Sequence, residues 1–352
     1  MYIGLVVLLV ILNFAVLKNE KIENGDKKFI YIFFAICGLV MGLRNYTVGR
    51  DTVSYANIYY NVTNMDMSYI LSDKYDSKME FGYVFMMKLC SLIKYDYFFF
   101  QFVVSMLFCL GMAKFVADNT EDKFLAACIF LGIGLYLSAF SAQRQFLAIM
   151  FVANSWTLLK KHKKMKAFLL ILIAFSIHRS SMVFFGAFAL FFFRKNRFLL
   201  KLVPVMIVFI ALNISSIVTL FSTYLTQYEK YVSNTADILS ARGSMIMWLI
   251  IGILSIYMIY GKYGVAGTKR LEAILCLLYV SLYYVGTHFN LVERIGDYFM
   301  PFAMTMLSST DAMLFSKDVK KIYRTGVIFC FIAFFIVMVR NTPELAYSMF
   351  FL

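Results

Sequence analysis

Charge is what this chain has least of: 15% of its 352 residues are Asp, Glu, Lys or Arg, against about 25% in a soluble domain. That excludes a disordered chain, which stays unfolded through charge and polarity. It also leaves too little polar surface for an ordinary water-soluble fold. Proline is almost missing, with three residues (Pro204, Pro301, Pro343), and no linker, low-complexity tract or internal repeat stands out. The six cysteines (Cys37, Cys90, Cys109, Cys128, Cys276, Cys330) show no CxxC and no pairing pattern, so a disulfide scaffold is excluded and they read as small hydrophobes. With three histidines and no His/Cys cluster, no metal site is expected.

What is there is apolar: 62% hydrophobic residues and a mean hydropathy of +0.76. A β-barrel would alternate polar and apolar residues; here the apolar runs are continuous, and about 20 such residues span a bilayer as a helix. The expectation is an all-α polytopic membrane protein, a single integral membrane domain over 1–352. About 12 spans are expected, near 2–17, 29–43, 97–117, 124–141, 146–159, 167–178, 181–193, 198–220, 244–260, 271–286, 299–316 and 325–339. The first run has no basic leader or small-residue cleavage site, so it reads as a retained helix.

Basic residues orient the chain. Six islands, Lys18–Lys28, Lys114–Lys123, Lys160–Lys166, Arg194–Lys201, Gly261–Arg270 and Lys317–Arg324, hold 22 of the 34 Lys and Arg, all on one side if the runs alternate. That side is then cytoplasmic, and the net charge of +14 needs no nucleic acid to explain it. Parity makes Phe81–Ile93, which is apolar but short and contains Lys88, an external amphipathic or re-entrant helix. It also makes 167–193 a hairpin bent at His178–Ser181. The largest external loop is then 44–96, and the second is 221–243.

The remaining polar residues gather on the external face, several at or below the membrane surface, where a charge needs a polar cavity. Arg144 interrupts an apolar stretch between Gln143 and Gln145. It reads either as an arginine snorkelling to headgroups or as a phosphate ligand, for which its planar fork is suited. His178, beside Arg179, Ser180 and Ser181, is either a satisfied core histidine or a proton carrier. In RNYTVGRDTVSY (Arg44–Tyr55), Gly49 allows a tight turn bringing Arg50 and Asp51 near Arg44; the bland alternative is a solvated Arg50–Asp51 pair. Arg242 closes the second large loop, and His288, Glu293, Arg294 and Asp297 fill the last one. His162 sits in a lysine island and reads as solvated. Asp311, within an apolar run, fits no external cluster.

Together RNYTVGRDTVSY, EFGY (Glu80–Tyr83), QRQFLA (Gln143–Ala148), HRSSM (His178–Met182) and ERIGDYF (Glu293–Phe299) resemble the EpsG-like branch of the Wzy polysaccharide polymerases. The match runs in order from about Arg44 to Pro301. The GxDTxxY pattern is kept as Gly49, Asp51, Thr52 and Tyr55, and Phe81 replaces the usual Pro after the glutamate. The resemblance implies a bacterial inner-membrane enzyme with a fold like lipid-linked glycosyltransferases. It would join undecaprenyl-pyrophosphate-linked oligosaccharide repeats into exopolysaccharide, capsule or O-antigen on the outer face, without cofactor or metal. Expected partners are those lipid-linked sugars, the bilayer, a chain-length regulator and a flippase, with no nucleic acid.

On that reading the acceptor hydroxyl needs a base within reach, and His178 is the first choice, with Asp51 and Glu293 behind it. Arg144 and Arg294 are assigned to pyrophosphate, where positive charge stabilises the leaving group. Arg44, Arg50 and Arg242 go to the sugar or second carrier, and Glu80, Gln143, Arg179, His288 and Tyr298 complete the binding set. The alternatives are an O-antigen-type ligase, a flippase or transporter, whose charges would sit at the bilayer midplane in repeated halves, and a membrane O-acetyltransferase.

Overall fold

The computed structural model describes residues 1–70, 72, 79–214, 242–261, 267–287, 290–309 and 316–350. Among them the regular structure is helical, and the one β feature is an isolated antiparallel bridge between Arg44 and Met349. The helices form two compact units, Met1–Met182 with Ile322–Leu352, and Val183–Lys321.

In the first unit, α1 (Tyr2–Leu12) continues as a π turn over Asn13–Leu17 and is followed by α2 (Gly25–Gly42). The first expected loop is itself helical: α3 (Thr52–Thr63), the single turn α4 (Met67–Ile70) and α5 (Phe81–Ile93). Lys88 explains how a charge fits within apolar α5. Its Nζ donates to the carbonyls of Thr63 (2.8 Å) and Met65 (2.6 Å), groups left unpaired where α3 ends. Then come α6 (Tyr97–Asn119), α7 (Lys123–Gly132), α8 (Leu135–Ser141), α9 (Gln143–Lys160) and α10 (Lys164–Ile177). Asp96 and Asp122 cap α6 and α7, accepting from Phe98 N (3.0 Å) and Leu125 N (2.9 Å). Gly134, at φ +98°, opens α8 after a 42° bend between α7 and α8.

Side-chain contacts fix how these helices run. Gln101, early in α6, donates to the carbonyls of Gly42 (3.2 Å) and Arg44 (2.8 Å), at the end of α2. Asn119, closing α6, donates to Thr157 Oγ1 near the end of α9 (2.7 Å). So α6 and α9 are parallel, and α2 opposes them. At 1.5 Å per residue, α9 separates its ends by about 27 Å. Basic residues of this unit gather at the Lys160 end, where Lys161 pairs with Asp118 (2.8 Å) and Arg324 with Asp122 (2.5 Å). Arg44, Gln143, Arg144 and His178 lie at the other end. The alternation expected from charge therefore holds throughout this unit.

All twelve apolar runs contain helix. Among the described residues only Tyr97–Asn119 and Lys317–Asn341 are long and apolar enough to cross a membrane unbroken, with α7 and α8 a third if taken as one bent span. The others are shorter or carry charge at an end, as Asp26, Lys27 and Lys28 do in the first turn of α2. Unbroken length thus supports two or three spans where composition suggested twelve. Helix α10 stops at Ile177, His178 is extended (φ −153°, ψ 114°), and a 3-10 turn follows over Arg179–Val183. The break falls at the expected bend.

The second unit is built around the helix Gly267–Gly286, against which Arg197–Leu212, Arg242–Tyr260, Asn290–Gly296 and Pro301–Leu307 pack. Asn196 caps the first of these through Leu199 N (3.0 Å). Phe184 stacks on Phe302 (centroids 6.1 Å), and Trp248 meets Tyr283 edge-on at 4.9 Å.

Candidate active site

At the end of the first unit remote from the lysine islands, three of the sequence segments converge on one carboxylate. Glu80 precedes α5 in an extended conformation (φ −68°, ψ 144°) yet does not cap that helix. Its side chain instead reaches outward. Oε2 takes a charge-assisted bond from Arg144 Nη1 at 2.6 Å, and Oε1 accepts from the Arg179 amide at 3.0 Å. Nδ1 of His178 stands 3.4 Å from the same Oε1, an ion pair when the imidazole is protonated. The three side chains are only 13% (Glu80), 19% (Arg144) and 15% (His178) exposed.

The helix ends make this possible. Arg144 sits in the first turn of α9, and His178 is the residue at which α10 stops. Gly82 lets α5 approach: a Cβ there would stand 2.7 Å from the Ser176 carbonyl oxygen. Burial alone would push the Glu80 carboxyl up, but the His178 imidazole, the Arg179 amide and the Arg144 guanidinium together pull it down to about 2. Glu80 is therefore a fixed anion at neutral pH, not a proton donor. Arg144 keeps its Nε buried and without a partner, and the Gln143 Nε2 is in the same condition. Such donors are an expense in a folded chain unless water or a ligand meets them.

The Arg44–Tyr55 segment borders this centre. Gly49, at φ +101°, packs so closely on α8 that a Cβ would lie 2.4 Å from the Phe140 carbonyl oxygen. The next amide, that of Arg50, donates to Ser141 Oγ (2.9 Å), two residues before Gln143. Tyr55 lies against Tyr83 (centroids 5.8 Å), whose hydroxyl donates to Gln143 Oε1 at 3.4 Å. Arg50, Asp51 and Arg179 are exposed. Among the described residues no carboxylate pairs with Arg50 or Arg179, so the solvated Arg50–Asp51 pair does not form.

Arg44 is different in kind. It is fully buried, and its nitrogens donate to the carbonyls of Val48 (3.0 Å), Phe140 (2.9 Å) and Met41. Its guanidinium lies 4.8 Å from the Phe140 ring centroid. These donors are committed to backbone, and with Thr52 Oγ1, which donates to Val48 O (3.0 Å), they shape the loop. Two roles had no signal in sequence, that of Tyr83, quoted only as the end of EFGY, as the link between two segments, and that of Ser141 as the anchor of Arg50. Their hydroxyls are unremarkable until the fold brings them to a partner.

The other candidates belong to the second unit. There Tyr283 donates to Asp297 Oδ1 at 2.6 Å, Tyr298 is buried, and Glu293 and Arg294 are exposed. Gly286 faces Glu293 and Gly296 faces Tyr283, each with room for no more than hydrogen. Arg242 opens its helix. His288, Asp311 and nearly all of the loop 221–243 lie outside the described residues. Among the described residues no group of His, Cys, Asp or Glu could hold a metal ion.

A helical protein with long apolar helices, whose first unit has basic residues at one end and an Arg–Glu–His cluster at the other, is a membrane protein with a polar site. The model of the EpsG family matches residues 27–351, nearly the whole chain, and the chain belongs to that family. Family and helices together make it a membrane protein of polysaccharide biosynthesis with a polymerase-like role. No curated protein and no solved structure matches it.

Proposed function

We propose that this protein joins oligosaccharide repeat units carried on undecaprenyl pyrophosphate into a surface polysaccharide, at the outer face of the bacterial cytoplasmic membrane. The observation that carries the reading is the Glu80–Arg144–His178 cluster, joined by the exposed Arg179 and bordered by the loop of Arg50, neither of which pairs with a carboxylate among the described residues. One carboxylate neutralises one arginine, and the surplus positive charge suits a pyrophosphate.

In the reaction an acceptor hydroxyl attacks the anomeric carbon of the donor chain. The bond from that carbon to pyrophosphate breaks, and its electron pair leaves with the phosphate. His178 accepts the hydroxyl proton through Nε2, its Nδ1 being turned to Glu80. Arg144, with Arg179, holds the departing pyrophosphate, whose growing charge is where fixed positive groups act most strongly. Arg50 binds the sugar or the second carrier, and Arg44 serves by holding the loop. Asp51 and Glu293 are the second choices for the base. Arg294, Arg242, His288 and Tyr298 are the further substrate ligands of this reading. A flippase and a chain-length regulator are the partners this chemistry calls for.

Arg144→Ala and His178→Ala should each abolish long-chain polysaccharide and leave single repeats on the lipid carrier at the outer face. Normal chain length in either variant removes that residue from the mechanism. Repeats trapped on the cytoplasmic leaflet would instead identify a flippase. Full-length chains lacking their final acceptor would identify a ligase.

A further inference from the structure

The residues after the last helix turn back over the loop that carries Arg50. Pro343–Leu345 form a 3-10 turn, and the Gly49 amide donates to the Glu344 carbonyl at 2.8 Å. The Asn45 amide donates to Ser348 O (2.8 Å) and the Phe350 amide to Leu43 O (3.1 Å), flanking the Arg44–Met349 bridge. Tyr347 adds a bond to Val40 O (2.8 Å) and an edge contact with Tyr2 (5.8 Å), and Phe350 lies 4.9 Å from Phe98. These hydrogen bonds between the tail and the rest of the unit all run to backbone of residues 40–49. Without the tail, the Asn45 and Gly49 amides have no acceptor, so the turn that aims Arg50 and Asp51 is only half secured.

We propose that Pro343–Phe350 is a positioning strap for the substrate-binding loop, setting where Arg50 meets the anionic, lipid-linked sugar. The proposal rests on the reading of the site as one for a polyprenyl-pyrophosphate donor. Arg44 and Phe140 hold the loop from within, and the strap holds it along its backbone edge. The strap acts on affinity through Arg50 and leaves the Glu80–Arg144–His178 centre as it is.

The test uses the full chain, a chain ending at Asn341, and the milder pair Tyr347→Phe with Phe350→Ala in case the truncated chain fails to fold. Each is made with and without Arg50→Ala. Loss of the strap should raise KM for the lipid-linked repeat about tenfold, the worth of one charge-assisted hydrogen bond, with kcat changed much less. With Arg50→Ala already present, most of that effect should vanish, since both changes act through one contact. Amide exchange at Asn45 and Gly49 should rise while α9 keeps its protection. An unchanged KM, full additivity with Arg50→Ala, or unchanged exchange at those two amides overturns the proposal. A wild-type chain that makes no polymer overturns the reading of function instead, and the exchange measurement still judges the strap.

Discussion

Replacing Glu80 by Gln tests the centre of the site through its dependence on pH. The wild-type carboxyl is held at about 2 against an ordinary 4.5. That gap corresponds to roughly 3 kcal/mol favouring the folded chain when the group is ionised. Partial solvent access trims this to about 2 kcal/mol. Because the folded value is depressed, the contribution is fully present above pH 4.5 and is lost as pH falls toward 2. Gln keeps an acceptor for the Arg179 amide but has no charge for Arg144 or His178, and it does not titrate. The assay is thermal unfolding of both proteins in the same detergent or nanodisc from pH 7 down to pH 2.5. The other carboxylates titrate in both proteins and cancel in the difference. Wild type should be the more stable by about 2 kcal/mol at neutral pH, and the gap should close below pH 4. A difference that stays constant over that range would refute the argument that Glu80 is an anion held by its neighbours.

Three further outcomes follow from the geometry. Gly49→Ala, forced to φ +101° with its Cβ against the Phe140 carbonyl, should destabilise the protein by about 1–3 kcal/mol, read as a fall in unfolding midpoint; a neutral change would show the turn relaxes freely. Lys88→Met should uncover the Thr63 and Met65 carbonyls and speed amide exchange at the end of α3, while α6 is unaffected. Arg144→Lys, which keeps charge but loses the planar fork, should cost about tenfold or more in polymerisation rate; full activity would favour an arginine that only anchors to headgroups.

The helices were legible because apolar runs are their direct sequence signature, and charge alternation placed Arg44, Arg144 and His178 at the end opposite Lys161 and Arg324. The break at His178 was legible for the same reason: four polar residues interrupt two apolar runs. Helix α3 was not, since Thr52–Thr63 is polar and reads as loop; what holds it is Lys88 from another helix and the packing of Tyr55 and Tyr59. Glu80 was visible as a member of EFGY but not as the hub of the site, because its partners lie 64 and 98 positions further along the chain. The strap left no trace because, the Tyr347 hydroxyl apart, its bonds are made by backbone atoms, which every residue type possesses.

Arg44 and Arg144 show most clearly what depth adds to composition. Both are arginines beside apolar runs on the same face, and by sequence both are candidates for an anion. Three nitrogens of Arg44 are spent on carbonyls and a ring face covers its guanidinium, so a phosphate could reach it only by dismantling the turn at Gly49. Arg144 has one nitrogen on a carboxylate, another buried and unused, and a side chain still partly open to solvent. On the proposed function, an arginine that releases a pyrophosphate after each addition is better held by one counter-ion than by none. The carboxylate keeps the fork in place between turnovers and limits how tightly the product is retained. Arg144 meets that requirement, and Arg44 supplies the rigid turn beside it.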